Sequence, residues 1–220
     1  MAVKLLISGM SNSGKTTLTN TLTDCLVVSH DGKNYPFAKP HTNVASFAST
    51  GELITLINEK MEAYNTKFKT YLSTVVFDSV SKIFDTLLDS CNIKHTGFKV
   101  YSELNREIHE FTDYVQNVLI SADINVILIS HALYDAETAI YTLVGKGDFQ
   151  RRGGFLAETD NAVFLETKNN KRIVHHRSTK FPARTTLSEI SDYQNVEDYD
   201  LQGHIDLLAQ VHSEVDSYEL

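Results

Sequence analysis

The feature that most constrains the fold of this chain is a glycine-rich segment near its start, residues 9–16, with the sequence GMSNSGKT. It follows a short apolar run at residues 3–8 and precedes residues of helical character at 15–23. A G-x-x-x-x-G-K-[ST] loop between a strand and a helix directs successive backbone N–H groups and the helix N-terminus toward one point, which favours bound phosphate. The spacing therefore predicts a strand, a phosphate-binding loop and a helix in that order.

The side chains of this loop indicate which phosphate compound it takes. We predict that Lys15 neutralises the β and γ charges of a nucleoside triphosphate and that Thr16 ligates Mg²⁺. ATP and Mg²⁺ are the predicted cofactors. The loop and the first helical turn supply the predicted nucleotide-binding residues Gly9, Met10, Ser11, Asn12, Ser13, Gly14, Lys15, Thr16 and Thr17.

Strand-like and helix-like segments alternate along most of the chain. Apolar runs predict strands at residues 3–8, 25–29, 73–78 and 124–130, with weaker patterns at 138–144, 161–167 and 172–177. Apolar residues at helical spacing predict helices at 15–23, from the capping pair Ser49 and Glu52 to about Asn65, after Ser79, and over 101–121. This alternation predicts an α/β fold in which helices flank a mainly parallel sheet.

Acidic residues are concentrated at the C-terminal end. Residues 189–220 hold nine Asp and Glu and no Lys or Arg; removing those nine from the 28 acidic residues leaves 19, against 20 basic residues. A nearly neutral body argues against a strongly basic binder of double-stranded DNA. We predict an ATPase core at 1–185 and an acidic tail at 186–220 that packs on the core, docks on a partner protein or competes with DNA for basic loops. The tail's amphipathic helix is indicated by Leu201, Ile205, Leu208, Val211 and Val215.

Two features predict a cytoplasmic protein without membrane association. The N-terminal apolar run is too short to span a bilayer and lacks the cleavage pattern of a signal peptide. Cys25 and Cys91 are the only cysteines, too few for a disulfide framework, and each lies in or beside an apolar stretch. We expect buried thiols in a reducing compartment.

Polar residues at strand ends are the candidates for metal binding and catalysis. Asp78 ends the apolar run VVFD, so we predict that it holds Mg²⁺ with Thr16; an Asp that caps the next helix would give the same pattern. Ser79 follows it, so a base that activates water must come from elsewhere. Asp31, after the second strand, is the candidate, with an ordinary Asp-Gly turn as the alternative and Glu52 in reserve.

Further along the chain, one histidine and several basic residues are candidates. His131 ends the fourth strand, where its side chain could sense the γ-phosphate or simply be a satisfied strand-end histidine. Lys180 and Arg184, in RSTKFPAR, could reach the nucleotide of a neighbouring subunit. A glycine-rich loop carries three basic residues, Lys146, Arg151 and Arg152. They could contact a nucleic-acid backbone or simply be solvated.

With these motifs in order, the chain resembles the phage RecA-like ATPases, AAA-family NTP-binding proteins that include core-only relatives of RecA of the single-strand annealing type. The resemblance covers about residues 1–185 and rests on GMSNSGKT, VVSHDGKNYPF, VVFDS, ILISH and RSTKFPAR. It implies a RecA-like P-loop fold, homo-oligomers with ATP between subunits, and binding of single-stranded DNA by residues 134–153. Asp31 and His131 stand where that family usually has Glu and Gln or Asn.

Three functions are consistent with these residues. The first is an ATP-hydrolysing, phage-type DNA recombination protein that binds or anneals single strands. The second is a nucleoside or nucleotide kinase, in which QRRGG would form a lid over the phosphate acceptor. The third is a nucleotide-gated scaffold with little hydrolysis, which Asp31 and Ser79 would suit.

Overall fold

The computed structural model describes residues 1–32 and 34–217, and nine strands and seven α-helices lie within them. The strands are β1 (Lys4–Gly9), β2 (Cys25–Ser29), β3 (His41–Asn43), β4 (Thr74–Asp78), β5 (Asn125–Asp135), β6 (Ile140–Leu143), β7 (Asn161–Lys168), β8 (Lys171–His175) and β9 (Tyr193–Asn195). The helices are α1 (Lys15–Leu18), α2 (Thr50–Phe68), α3 (Val80–Lys94), α4 (Phe98–Tyr114), α5 (Gly147–Arg151), α6 (Gly154–Glu158) and α7 (Leu201–Asp216).

The strands form one mainly parallel sheet. Their order is β3-β2-β4-β5-β1-β7-β8-β9, and β6 pairs with the outer part of β5. Neighbours from β3 to β7 run parallel, whereas β6, β8 and β9 are each antiparallel to a neighbour. Parallel neighbours need crossover connections, and α1, α2, α3 and α4 lie in these connections. The predicted α/β fold with a mainly parallel sheet flanked by helices is confirmed.

Alternate residues of the central strands pack into two apolar layers. In β1, Leu6 belongs to the layer under α2, α3 and α4, whereas Leu5 and Ile7 belong to the layer under α1 and α7. All three side chains are fully buried. A strand covered on both faces must be apolar along its length, and each such side chain stabilises the fold by roughly 1.5–3 kcal/mol. This explains why the strongest strand signals are continuous apolar runs.

The first helix is shorter than the sequence pattern predicts. The predicted helix at 15–23 is wrong beyond Leu18, where the chain continues as a 3₁₀ turn, Thr19–Thr21. The hydroxyl of Thr19 donates to the carbonyl oxygen of Thr16 at 2.7 Å, and that of Thr21 donates to Leu18 at 3.2 Å. Threonine side chains that bond the backbone in this way compete with the helical ladder.

The C-terminal segment contributes one strand and one long helix. The side chains of α7 that are buried in the layer shared with α1 are Leu201, Ile205 and Leu208, with Val211 partly buried. Val215, near the end of the helix, is exposed. The predicted amphipathic helix is therefore present and packs on the core. The division of the chain at residue 185 stays a prediction, and residues 218–220 of the predicted tail lie outside the described residues.

Both cysteines are free and buried, as predicted. Burial is the main cause that raises the pKa of the Cys25 and Cys91 thiols, so neither thiolate is favoured. Within the described residues, every helix is either too short or too polar to traverse a bilayer.

Candidate nucleotide-binding site

The loop between β1 and α1 needs glycine at two positions. Gly14 has a φ of 94°, in the left-handed region where a side chain would be strained. A Cβ on Gly9 would stand 2.6 Å from both the carbonyl oxygen of Leu165 and Oγ of Ser13, so the loop packs too closely there for a side chain. The two glycines of the motif thus fix the backbone path that leads into α1.

Lys15 is the first residue of α1, and its side chain folds back over the loop. It is only 6% exposed, and Nζ donates to the carbonyl oxygens of Gly9 at 2.9 Å and Met10 at 2.8 Å. These contacts hold the ammonium group of Lys15 at the cavity, where a positive charge favours a bound anion.

Thr16 and Asp78 meet beside this charge. Oγ1 of Thr16 lies 2.5 Å from Oδ2 of Asp78, the last residue of β4, although β5 separates β4 from β1 in the sheet. A hydroxyl and a carboxylate next to a phosphate-binding loop are the protein ligands that suit Mg²⁺, which takes its other ligands from water and phosphate oxygens. Across residues 1–32 and 34–217, no cluster of three or more His, Cys, Asp or Glu side chains forms a separate metal site. The residues present fit a phosphate-bound Mg²⁺.

Asp31 lies on the same side of the loop as Asp78. Ser29 and Asp78 are register partners in β2 and β4, and the backbone N–H of His30 donates to the carbonyl oxygen of Asp78 at 2.7 Å. Asp31 follows directly, and its Oδ1 accepts from Oγ of Ser29 at 3.0 Å. The His30 ring is buried against Phe77, and burial lowers its pKa to about 4, so it anchors this turn as a neutral group.

His131 lies on the strand between these two regions. In the parallel pairing of β1 with β5 it is the register partner of Gly9, the first residue of the loop. Its backbone N–H donates to Oγ of Ser81 at 3.0 Å, which ties β5 to the start of α3. Beyond His131, β5 continues for four residues to Asp135.

These residues line one cavity of about 380 Å³, within the usual range for small-molecule sites. The predicted residues that line it are Ser11, Asn12, Gly14, Lys15, Thr16, Thr17, Asp31, Asp78 and His131. Gly9, Met10 and Ser13 shape the loop but are not among the lining residues. The fold thus brings these predicted residues together around one cavity. Their individual roles in nucleotide binding and hydrolysis stay predictions.

Five residues that line the cavity were not among the predicted site residues: Ser29, Asn34, Tyr35, Pro36 and Arg172. Tyr35 comes from the irregular segment after β2, and its hydroxyl lies 2.5 Å from Oγ1 of Thr19. Arg172 comes from β8, on the other side of the loop from Asp78. Only the long-range position of the β7–β8 hairpin brings Arg172 to the cavity, so no local sequence pattern indicates it.

Three predicted residues lie away from the cavity of their own chain. Lys180 is placed over the ring of Tyr141, with Nζ 5.8 Å from the centroid. The guanidinium of Arg184 donates to the carbonyl oxygen of Thr159, with Nε at 2.9 Å. Glu52, the reserve base, accepts from the backbone N–H of Ala48 at 2.7 Å in the N-terminal cap of α2. A role of Lys180 and Arg184 toward a neighbouring subunit stays a prediction.

A mainly parallel sheet with a glycine-rich loop after its central strand, and a lysine, a threonine and an acid around one cavity, define the class of P-loop nucleotide-binding proteins. The chain belongs to the AAA domain family, whose family model matches residues 1–185. Membership implies a nucleotide ligand and the NTPase class of protein. Comparison with curated proteins gives no match.

Proposed function

We propose that this chain is an ATP-hydrolysing protein of the RecA-like, phage recombination type that binds single-stranded DNA when MgATP occupies its cavity. One observation carries the proposal. The single strand β5 has a residue in the cavity, His131, and three residues later a residue on an exposed aromatic surface, Tyr134. A displacement of this strand at the nucleotide is therefore passed directly to that surface.

At the cavity, each predicted residue has a physical task. Lys15 and the backbone N–H groups bind the phosphates, while Thr16 and Asp78 hold Mg²⁺. When bound, Mg²⁺ would neutralise charge on the β and γ phosphates. Asp31, exposed and on the same side as Asp78, orients and deprotonates the attacking water. His131 distinguishes a site with a γ-phosphate from one without it.

The exposed surface is the hairpin of β5 and β6. The rings of Tyr134 and Tyr141 are 5.1 Å apart, and Tyr134 is 48% exposed. Nζ of Lys180 lies over Tyr141, so a cation stands beside the aromatic pair. Aromatic faces that stack on bases, next to cations that attract the phosphate backbone, suit single-stranded nucleic acid of any sequence.

The segment after the hairpin adds positive charge. Arg151 and Arg152 are both exposed at the end of α5, within the range 134–153 that we assign to DNA. Arg151 has Asp148 as a partner at 3.5 Å. An exposed ion pair of this kind is weak, so a phosphate can replace the carboxylate at little cost.

We also propose that the chain works as a homo-oligomer with nucleotide between subunits. Arg184 and Lys180 lie outside the cavity of their own chain. The nucleotide that they contact is therefore the one bound in a neighbouring copy. A guanidinium supplied by a neighbour would stabilise charge that develops on the phosphates during hydrolysis. Turnover would then depend on assembly.

The test measures ATP turnover and particle size together, with and without single-stranded DNA. The proposal expects MgATP-dependent assembly and a turnover rate that rises with DNA. Phosphate transfer to nucleosides or nucleotides, unaffected by DNA, would show a kinase instead. Nucleotide-dependent assembly with negligible turnover would show a scaffold.

A further inference from the structure

We infer that Arg172 binds the nucleoside end of the nucleotide and that Glu197, in the acidic C-terminal segment, competes for its guanidinium. Nucleotide binding and the contact between that segment and the cavity are then coupled. This inference rests on the proposed nucleotide site and names a regulation of it.

The hairpin of β7 and β8 fixes the position of Arg172. The two residues between these strands, Asn169 and Asn170, have φ values of 51° and 61°. Positive φ at both positions is typical of the tight turns whose twist matches that of paired strands. Arg172 is the register partner of Thr167, in the second residue pair beyond this turn. Its backbone is thus held by the sheet, and only the side chain is left to move.

The side chain reaches the phosphate-binding loop from the side opposite the carboxylates. Nη1 of Arg172 lies 3.1 Å from the position that a Cβ on Gly14 would take. In the sheet, β4 with Asp78 lies on one side of β1 and β8 with Arg172 lies on the other. Because Thr16 and Asp78 mark the metal end of the polyphosphate, the nucleoside end is directed toward Arg172. A guanidinium there can stack on the base, a contact that a bare polyphosphate cannot make.

Glu197 is the anion that Arg172 contacts within the described residues. Nη2 of Arg172 lies 3.6 Å from Oε1 of Glu197, which is 65% exposed. The carboxylate is carried by a 3₁₀ turn whose neighbours Val196 and Tyr199 are buried in the core. The turn is therefore anchored while its charged side chain remains free to give up the arginine.

The competition follows from the chemistry of the two ligands. A guanidinium engaged with a carboxylate has fewer donors and less charge available for a nucleotide, so removal of the carboxylate strengthens nucleotide binding. Coupling of this kind is reciprocal, so bound nucleotide weakens the contact between Arg172 and Glu197 by the same factor. The acidic segment thereby acts as an internal competitor of the nucleotide.

The experiment compares the affinities of MgATP and of inorganic tripolyphosphate with magnesium by titration calorimetry. We expect Arg172→Ala to weaken MgATP binding about tenfold and to change tripolyphosphate binding less than about twofold. Lys171→Ala is the matched control, since Lys171 is an exposed cation next to Arg172 on the same strand but lies outside the cavity. Thermal unfolding without ligand verifies that each variant is folded.

A second pair of variants tests the competition. We expect Glu197→Gln to tighten MgATP binding about threefold, and Glu189→Gln, which removes the same charge from an exposed position of the same segment, to leave it unchanged. In the Arg172→Ala background the effect of Glu197→Gln disappears if the two residues act on each other.

The outcomes separate this inference from the proposed function. If the wild-type chain binds neither MgATP nor tripolyphosphate, the nucleotide site itself is wrong. If the wild-type chain binds and Arg172→Ala binds equally well, or loses both ligands alike, the assignment of Arg172 to the nucleoside end is overturned. An undiminished effect of Glu197→Gln without Arg172 would overturn the competition.

Discussion

The parallel and antiparallel parts of this sheet bring residues to the nucleotide cavity by different means. Strands β1, β2, β4 and β5 run parallel, so their carboxyl ends meet at one edge, where the phosphate loop, Asp31, Asp78 and His131 gather. Strands β6, β8 and β9 are antiparallel, and each residue they contribute depends on register and turn geometry. In the function that we propose, the parallel part binds the phosphates, and the antiparallel part contacts DNA and the C-terminal segment.

The largest effect is expected from removing the positive charge of the phosphate loop, which tests whether the parallel part binds the phosphates. We expect Lys15→Ala to weaken ATP affinity by at least about 100-fold, because the loop loses its one buried ammonium and the charge-assisted bonds that it makes to phosphate. Titration calorimetry measures the change. Lys82→Ala, at an exposed position of α3, is the control and should bind as the wild type does. Normal affinity in Lys15→Ala would mean that the loop does not bind the nucleotide.

The second prediction separates binding from turnover within the parallel part. We expect Asp31→Asn to lower the rate of ATP hydrolysis about 100-fold with little change in ATP affinity, because the amide cannot accept the proton of the attacking water. Steady-state hydrolysis and binding are measured on the same preparation. Glu52→Gln, which alters the reserve candidate in the cap of α2, should keep the wild-type rate. A slow Glu52→Gln with a normal Asp31→Asn would reverse the assignment.

The parallel part of the sheet could be predicted well because its strands produce local patterns in the sequence. Leu5, Ile7, Ile127 and Ile129 are fully buried on strands covered on both faces, and such strands are written as continuous apolar runs. The residue after each run then falls at the cavity edge, which is how Asp78 was found.

The antiparallel part could not be predicted to the same extent. Strand β9 was missed because YQN is a short, polar edge segment without a hydrophobic pattern, and the parallel edge strand β3, HTN, was missed for the same reason. The weak pattern at 138–144 did correspond to a strand, β6. Arg172 was missed because its place beside Gly14 results from long-range packing of a hairpin, which no local spacing reports.

A third prediction concerns buried imidazoles and the pH dependence of stability. Burial is the main cause that lowers the pKa of His176 and His204, each to about 4, and the two rings are 5.2 Å apart between β8 and α7. His30, in the parallel part, has the same value. Unfolding returns each group to about 6.5, so the unfolded state binds more protons between pH 6.5 and 4. Stability is therefore complete above this window and falls as the pH drops through it, by about 2 kcal/mol per imidazole between pH 7 and 5.

Denaturant unfolding at a series of pH values measures this slope. We expect His204→Gln to reduce the pH dependence of the free energy of unfolding by the contribution of one imidazole. His109→Gln, at an exposed position, is the control and should leave that pH dependence unchanged. Hydrogen exchange locates the loss, which should reach α7 in the wild type. A wild-type stability that is constant from pH 7 to 5 would show that the pKa of these imidazoles is the same in the folded and the unfolded chain.

The last prediction sharpens the comparison on the antiparallel side. We expect Tyr134→Ala to weaken binding of a labelled single-stranded oligonucleotide about tenfold, because one stacked base contributes roughly 1–3 kcal/mol. ATP affinity without DNA should stay as in the wild type, since Tyr134 lies beyond the cavity on β5. Tyr101→Ala is the matched control, because Tyr101 is 55% exposed on α4, a similar fraction to the 48% of Tyr134.

Fluorescence anisotropy in MgATP gives the DNA affinities of both variants. Equal losses in the two variants would indicate nonspecific aromatic contacts, and no loss in either would remove the hairpin from the DNA-binding surface. A loss confined to Tyr134→Ala that vanishes when ATP is omitted would link the two parts of the sheet through β5.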